Sequence, residues 1–236
     1  MGVGHSVAGE FRYVGAELDL FAAVHNWKSY WSRYIARYIA GDVLEVGAGI
    51  GSNTRYLHRD GGRRWVCLEP DDTLARQMRQ HVPAECEVVC ATVQDAGGEF
   101  DTILYIDVLE HIEDDSGELR AASRRLRPGG RVIVLSPAHQ SLFTAFDQAI
   151  GHYRRYDRRM LSGITPRDLE VERIAYLDST GLAASLANRL LLRQSMPTER
   201  QLAVWDRWMI PVSRWVDPLL GYSVGKTIVG IWRKPL

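Results

Sequence analysis

The fold of this chain is decided by DVLEVGAGIG, residues 42–51. After Asp42 the stretch runs as a short apolar segment that carries Glu45, and it continues with glycines at three alternate positions. Because glycine has no Cβ, such a loop turns sharply and lets a ligand approach the backbone. A helix that follows would offer its free N–H groups to the same ligand. The stretch therefore predicts a strand, a ligand-binding loop and a helix, in that order.

The spacing of the glycines separates two kinds of ligand. A dinucleotide-binding loop reads G-x-G-x-x-G. Gly47 and Gly49 fit that register, but Ser52 occupies its third position and Gly51 comes one residue early. Glu45 would repel a pyrophosphate at this point and would attract a cationic amino-acid group. The loop therefore favours a ligand with a cationic amino-acid moiety.

The composition limits the class of protein. The 236 residues suit one α/β domain, and 46% hydrophobic residues are enough for a full core. Basic and acidic residues both number 29, which removes the usual charge signature of nucleic-acid binding. The three cysteines lack metal-ligand spacing, so no metal site is predicted. We see no signal-peptide core and no apolar run of membrane-spanning length, and therefore expect a cytoplasmic protein without a membrane span.

Strand and helix patterns alternate along the chain, which predicts a doubly wound α/β sheet built from parallel crossovers. Two late strands complete a Rossmann-like sheet of seven, mostly parallel, in which the last strand is antiparallel. The predicted strands are Val43–Val46, Trp65–Glu69, Glu87–Cys90, Thr102–Ile106, Arg131–Ser136, Leu169–Tyr176 and Lys226–Arg233. The predicted helices include Asn53–Arg59, Asp72–Gln80, Ser116–Leu126, Leu182–Arg193 and Arg200–Trp215.

Two segments lie outside this alternation. Residues 1–40 are rich in aromatics and predict an N-terminal helical cap, and residues 179–222 predict a helical insertion before the last strand. We expect a single domain, with a core over residues 41–178 and the final strand within 223–236. Insertions of this length are usually functional. Both segments are expected to form a lid, with Tyr13, Trp27, Lys28 and Tyr30 near the ligand and Trp205, Trp208 and Trp215 in the insertion.

Four motifs occur in order along the core. The first is the glycine loop, and the second is Glu69 at the end of the second predicted strand. The third is residues 91–95 (ATVQD) after the third strand, and the fourth is residues 100–112 (FDTILYIDVLEHI), which include the fourth strand. A turn at 127–130 (RPGG) then precedes the fifth strand. Together they resemble the class I S-adenosylmethionine (SAM)-dependent methyltransferases. The N-terminus and residues 151–156 (GHYRRY) further resemble a bacterial small-molecule branch, types 11 and 12.

The resemblance implies SAM as the cofactor, S-adenosylhomocysteine as the product, and a set of site residues. The cofactor-binding candidates are Glu45, Gly47, Ala48, Gly49, Gly51, Glu69, Pro70, Thr92, Val93, Asp107, Val108, Tyr13 and Trp27. The candidate general bases are His111, His139 and His152, since a histidine neutral near pH 7 suits proton removal. The substrate candidates are Tyr153, Arg154 and Tyr156. Arg154, Arg155, Arg158 and Arg159 also form a charge run of the kind that is usually solvated.

Two alternatives remain open at this point. One is an NAD-dependent oxidoreductase on the same frame, and the other is a non-catalytic SAM-binding partner protein. As a methyltransferase, the chain lacks the Asn/Asp-Pro-Pro-aromatic segment of the enzymes that methylate DNA and protein amides. The missing segment indicates a small-molecule acceptor but does not separate oxygen, nitrogen and carbon methylation. We expect an oxygen or nitrogen nucleophile, and a monomer or homodimer.

Overall fold

The computed structural model describes residues 24–58, 63–191 and 198–236. Tyr13, most of the predicted cap and the end of the helix predicted over Leu182–Arg193 therefore lie outside the described residues. The strands are β1 Val43–Val46, β2 Trp65–Leu68, β3 Cys86–Val89, β4 Phe100–Ile106, β5 Leu126–Pro137, β6 Glu170–Leu177 and β7 Thr227–Arg233. The α-helices are α1 His25–Ile35, α2 Thr54–Leu57, α3 Asp72–Met78, α4 Asp115–Arg125, α5 Ala145–Ala149, α6 Arg158–Gly163, α7 Ser179–Leu191, α8 Glu199–Val204 and α9 Ile210–Leu219.

The seven strands form one sheet in the order β3-β2-β1-β4-β5-β7-β6. Strands β1 to β5 pair in parallel, and β7 is antiparallel to both β5 and β6. The predicted fold class is therefore confirmed, including the antiparallel last strand. Because the parallel strands all end at the same edge, the loops that follow them meet there, and this edge is where doubly wound sheets bind ligands.

Strand β1 lies in the middle of the sheet and is buried along its whole length. Side chains alternate between the two faces of a strand. Leu44 belongs to the apolar cluster on one face, whereas Val43 belongs to the cluster on the other, together with Trp65 and Cys67. Glu45 shares the face of Val43, so its carboxylate points into a packed layer rather than off the end of the strand.

The insertion differs from the single helix predicted over Arg200–Trp215. Helix α8 runs into a π-helical turn, Trp205–Met209, and α9 then continues to Leu219. Pro211 directly follows the π-helical turn, as the second residue of α9. Across the described residues, every helix is too short or too polar to span a bilayer.

Two buried carboxylates fix helix α1 against the insertion. Asp206 accepts a hydrogen bond from the backbone N–H of Trp27 (2.8 Å), and Asp217 accepts one from the hydroxyl of Tyr30 (2.6 Å). Asp217 also accepts the backbone N–H groups of Asp178 and Ser179 at the start of α7. Hydrogen bonds to a charged acceptor are stronger than neutral ones. These contacts therefore hold α1, α7 and α9 together above the sheet.

Candidate active site

A cavity of about 1890 Å³ opens at the carboxyl ends of the parallel strands. Its walls come from the loops after β1, β2, β3 and β4, from the segment around α5, from helices α1, α7 and α8, and from the π-helical turn Trp205–Met209. Protein sites for small molecules usually measure about 300–1,000 Å³. The cavity therefore has room for more than one small molecule.

The loop after β1 uses two of its three glycines at the cavity. Gly47 and Gly49 line the wall, and both adopt positive φ, 64° and 58°. A Cβ at Gly47 would lie 2.7 Å from Cγ1 of Val108, so glycine is required for the loop to pack there. Ala48 also lines the cavity, and its N–H donates to the carbonyl of Leu68 (2.9 Å).

Gly51 has a different role from the one predicted. It does not line the cavity within the described part of the chain. Its φ is 77°, and a Cβ would lie 2.5 Å from Cγ1 of Val82. Gly51 therefore lets the loop pack against the segment that follows α3, and the expectation that it admits the cofactor is corrected.

Glu45 does not reach the cavity either. Its Oε2 accepts hydrogen bonds from Oγ1 of Thr54 (2.9 Å) and Nε1 of Trp65 (3.0 Å) in the layer between β1 and α2. Burial raises the pKa of Glu45 to about 7, although these hydrogen bonds act in the opposite direction. The predicted direct contact between Glu45 and a ligand cation is corrected, because alternation along β1 turns the side chain into the sheet face.

Glu69 lies in the cavity wall at the end of β2, beside Pro70. Its two oxygens accept the backbone N–H groups of Gly49 (2.8 Å) and Asp71 (3.0 Å). Burial raises the pKa of the Glu69 carboxyl, and these two hydrogen bonds act against the rise. A carboxylate offers about four acceptor positions. Glu69 thus holds the glycine loop and keeps acceptor capacity for a ligand's hydroxyl groups.

The loops after β3 and β4 complete this part of the wall. Thr92 donates its hydroxyl proton to Asp95 (2.7 Å), while Val93 is fully buried and presents apolar surface. Asp107 and Val108 follow β4 and line the cavity. Asp107 adopts a φ of 56°, which aspartate tolerates better than most residues. Enclosure by the cavity walls raises the pKa of Asp107 to about 6, against the attraction of His152 and Lys28.

Four side chains meet on the far side of Asp107, and we call them the inner cluster: Glu110, His111, Asp147 and His152. The rings of His111 and His152 are 4.5 Å apart between centroids and nearly perpendicular. Nδ1 of His152 lies 3.1 Å from Oδ1 of Asp147, and its Nε2 lies 4.0 Å from Oε1 of Glu110. Arg155 binds Asp147 through two hydrogen bonds, at 2.8 and 2.9 Å. All four members line the cavity.

The surroundings of the inner cluster shift the pKa values of its members in different directions. Burial and the neighbouring His152 lower the pKa of His111 to about 4, so this imidazole is neutral at pH 7. Burial raises the pKa of Glu110 well above its usual value, and Asp107 adds to the rise. Burial would also raise the pKa of Asp147, but the hydrogen bonds from His152 and Arg155 outweigh it and lower that pKa. A buried site therefore holds an ionised Asp147 beside imidazoles.

Comparison with known families decides the identity of the core. The family profile described as "Methyltransferase domain" matches residues 44–134, which span β1 to β5 and carry the glycine loop, Glu69 and Asp107. Residues 44–134 are a methyltransferase domain of the class I SAM-dependent type. SAM is therefore the cofactor of this domain, and the match argues against the alternative of an NAD-dependent oxidoreductase.

Two similar proteins show how far the likeness in sequence extends. A sarcosine/dimethylglycine N-methyltransferase of Halorhodospira halochloris is 38% identical over 103 residues, which are 40% of this chain and 37% of that protein. A demethylmenaquinone methyltransferase of Tropheryma whipplei is 29% identical over 145 residues, 58% of this chain and 56% of that protein. The chain thus spans from about a third to just over half of these relatives' length.

A solved structure extends the likeness in fold to nearly the whole chain. It comes from a complex between the Trm112 methyltransferase activator of Haloferax volcanii and a methyltransferase. The TM-score is 0.62 at 14% sequence identity, with 96% of this chain and all of that chain covered.

The structure places one predicted base and two predicted substrate residues away from the cavity. Nε2 of His139 lies 2.9 Å from the carbonyl of Gly225, and its ring stacks on Tyr176. Arg154 forms an ion pair with Asp115 (2.6 Å), and the buried hydroxyl of Tyr156 donates to the same carboxylate. These three expectations are corrected, because local partners already hold the side chains. Tyr153, His111 and His152 do line the cavity, and Tyr153 is 52% exposed.

Some of the predicted lid residues line the cavity, and others do not. Trp27 and Lys28 of α1 line the cavity, as does Trp205 of the insertion, and the rings of Trp27 and Trp205 are 5.7 Å apart. Nζ of Lys28 donates to Oγ of Ser52 (2.8 Å), and burial lowers its pKa to about 8. Tyr30 instead binds Asp217. Trp208 and Trp215 are 64% and 80% exposed and point away from the cavity, which corrects their predicted place in its wall.

Sequence reasoning missed three residues of the site. Glu110 directly precedes His111 in the VLEH segment, so the sequence motif could have identified it as a site residue. Asp147 caps α5 by accepting the N–H and hydroxyl of Thr144, and in sequence it is indistinguishable from an ordinary helix cap. Arg155 belongs to a charge run predicted to be solvated, but it is buried against Asp147.

Proposed function

We propose that this methyltransferase moves the methyl group of SAM to an oxygen or nitrogen nucleophile of a small molecule. One observation carries the proposal: a single cavity joins the cofactor wall, formed by the glycine loop and Glu69, to the buried His152–Asp147 pair. Methyl transfer from a sulfonium is a direct displacement, so alignment of the two molecules is the main requirement. The cavity is large enough to hold both.

The cofactor half is assigned from its contacts. Glu69 accepts the ribose hydroxyls with the acceptor positions that Gly49 and Asp71 leave open. Val93 packs on the adenine, and Thr92 lies beside it. The cationic amino-acid group of SAM binds next to Asp107, whose carboxylate is accessible from the cavity. Asp107 thus takes the role first assigned to Glu45.

The acceptor half uses His152 as the general base. Asp147 fixes the imidazole through Nδ1, as a carboxylate does when it sets the tautomer and orientation of a catalytic histidine. The acceptor's O–H or N–H proton passes to Nε2 of His152 while the nucleophile forms its bond to the methyl carbon and the carbon–sulfur bond breaks. Helix α1 and the insertion line the same cavity, and the ring of Trp27 packs against that of Trp205 where the two segments meet. The relatives' acceptors, sarcosine and demethylmenaquinone, support a small-molecule substrate.

Turnover with purified protein tests the proposal. S-adenosylhomocysteine formation is measured with SAM and a panel of small phenols, alcohols and amines. Removing a general base typically costs 10²- to 10⁴-fold in rate. His152→Asn should therefore lose at least 100-fold in turnover while keeping its affinity for SAM. His139→Asn is the matched control, since that histidine lies outside the cavity and Asn also tolerates its φ of 66°.

Two outcomes would contradict the proposal. If His152→Asn turns over an accepted substrate at the wild-type rate, His152 is not the base. If the protein binds SAM but methylates no member of a broad panel, the alternative of a non-catalytic SAM-binding protein is favoured.

A further inference from the structure

The inner cluster has the donor set of a metal site. One ligand atom from each of Glu110, His111 and His152 lies within 4.8 Å of the other two. Two imidazoles and a carboxylate are ligands that suit divalent first-row transition ions. Ligands around such an ion at about 2.1 Å stand roughly 3–4 Å apart. Small side-chain rotations are therefore enough to bring the three atoms to one ion.

Glu110 supplies an independent observation. It is completely buried, and its Oε2 accepts a hydrogen bond from Oγ of Ser136 (2.8 Å). Its Oε1 has no hydrogen-bond partner among the residues that the structure describes, and it lies 4.0 Å from Nε2 of His152. A buried carboxylate oxygen without a partner is costly. Its position beside the imidazole of His152 is the one expected of a metal ligand.

The hydrogen-bond partners of the two histidines also support a metal site. Metal-bound histidines almost always donate their second ring nitrogen to a carboxylate or backbone carbonyl. His152 has Asp147 at Nδ1, and His111 is hydrogen-bonded to the backbone of Gly151. Arg155 and the N-terminus of α5 hold Asp147 in place. The surrounding residues therefore orient both imidazoles toward the centre of the cluster.

We propose that Glu110, His111 and His152 bind one divalent first-row transition ion at the acceptor end of the cavity. Asp107 lines the cavity beside this site, so the acceptor meets the ion where the cofactor wall ends. The metal site itself does not depend on the proposed function; only the role given to the ion in methyl transfer rests on it. An acceptor hydroxyl bound to the ion loses its proton more readily, as metal-bound water does. With the ion bound, Nε2 of His152 is a ligand and no longer the base, so the proton passes to water. The resulting oxygen forms its bond to the methyl carbon while the carbon–sulfur bond of SAM breaks.

Metal binding can be measured without SAM or an acceptor. Protein stripped with a chelator and dialysed is titrated with Co²⁺ and Zn²⁺ by calorimetry, and the Co²⁺ complex is followed by its visible absorption. One ion should bind per chain, with a dissociation constant in the micromolar range or tighter. His111→Ala and Glu110→Gln should each weaken binding at least tenfold. His81→Ala is the matched control, because His81 is an exposed histidine in the turn that follows α3.

Every outcome bears on the proposal. Circular dichroism checks that each variant is folded, and His111→Gln replaces His111→Ala if the smaller side chain prevents folding. Binding that is absent in the wild type, or unchanged in both His111 and Glu110 variants, would overturn the metal site. SAM affinity measured on the same samples separates the two proposals: protein that binds SAM but no metal keeps the proposed function, and protein that binds metal but no SAM loses it.

Discussion

The buried carboxyl of Glu45 should make the stability of this protein depend on pH. Glu45 lies between β1 and α2, where burial raises its pKa from 4.5 to about 7. A group with a raised folded-state pKa contributes its full stability below its unfolded pKa, and that contribution is lost as pH rises through the folded pKa. The window for Glu45 therefore runs from about pH 4.5 to above pH 7. In the protonated form the side chain keeps both of its hydrogen bonds, to Thr54 and Trp65, as the acceptor.

The magnitude follows from the size of the shift. The raised value and the reference differ by about 2.5 pH units, and each unit corresponds to about 1.4 kcal/mol. The full effect is therefore about 3 kcal/mol, of which roughly 2–3 kcal/mol falls between pH 5 and pH 8. Glu45→Gln keeps the carbonyl acceptor for both donors and carries no charge. Its free energy of unfolding, relative to wild type, should rise by this amount over the same window.

Urea unfolding followed by tryptophan fluorescence measures the difference at pH 5, 6, 7 and 8. Comparing the variant with the wild type cancels the titration of the remaining groups. Glu99→Gln is the matched control, because Glu99 is exposed and its difference should change far less. A Glu45→Gln difference that stays constant within about 0.5 kcal/mol, or that falls as pH rises, would refute the assigned burial penalty.

Three further perturbations test the packing and the cofactor wall. Gly51→Val should destabilise the fold by at least about 2 kcal/mol in urea unfolding, because its Cβ would clash with Val82 at a positive φ; wild-type stability would contradict the packing role. Glu69→Ala should weaken SAM binding by about 1–3 kcal/mol in calorimetry, since ribose hydroxyls lose a charged acceptor; an unchanged dissociation constant would show that Glu69 holds only the loop. Asp217→Asn should cost about 1–3 kcal/mol of unfolding free energy, because one carboxylate serves Tyr30 and two backbone N–H groups; a neutral effect would show that α1 is held by apolar contacts alone.

The sequence was sufficient for the sheet because its signals are local. Apolar runs, glycine turns and the alternation of strand and helix predicted all seven strands, with their ends displaced by a few residues. Strand β5 is the largest departure: it begins at Leu126 because that residue pairs with Phe100 ahead of the glycine turn. The insertion was predicted as helical, but the π turn at Trp205–Met209 has no signal in periodicity.

The site was harder to predict because several of its contacts are not local. Glu45 has the right spacing from the glycines, yet strand alternation turns it into the sheet face. His139 and His152 are equivalent in sequence, since both follow the fifth strand, but Gly225 binds the first and Asp147 the second. Tyr156 looks like a ligand-facing aromatic, yet it is held by Asp115 from another element. These choices depend on which distant residue supplies a partner.

Calorimetric titration with SAM and, separately, with NAD tests the assigned cofactor wall most directly. The wild type should bind SAM with a dissociation constant of about 1 µM, near −8 kcal/mol, and should not bind NAD. Gly49→Val should abolish SAM binding, because a branched side chain at a φ of 58° is strained and occupies the ligand's path. Gly97→Val is the matched control, since a Cβ there meets nothing within 4 Å and the site is elsewhere. Binding of NAD without SAM, or SAM binding by a folded Gly49→Val equal to wild type, would contradict the assignment.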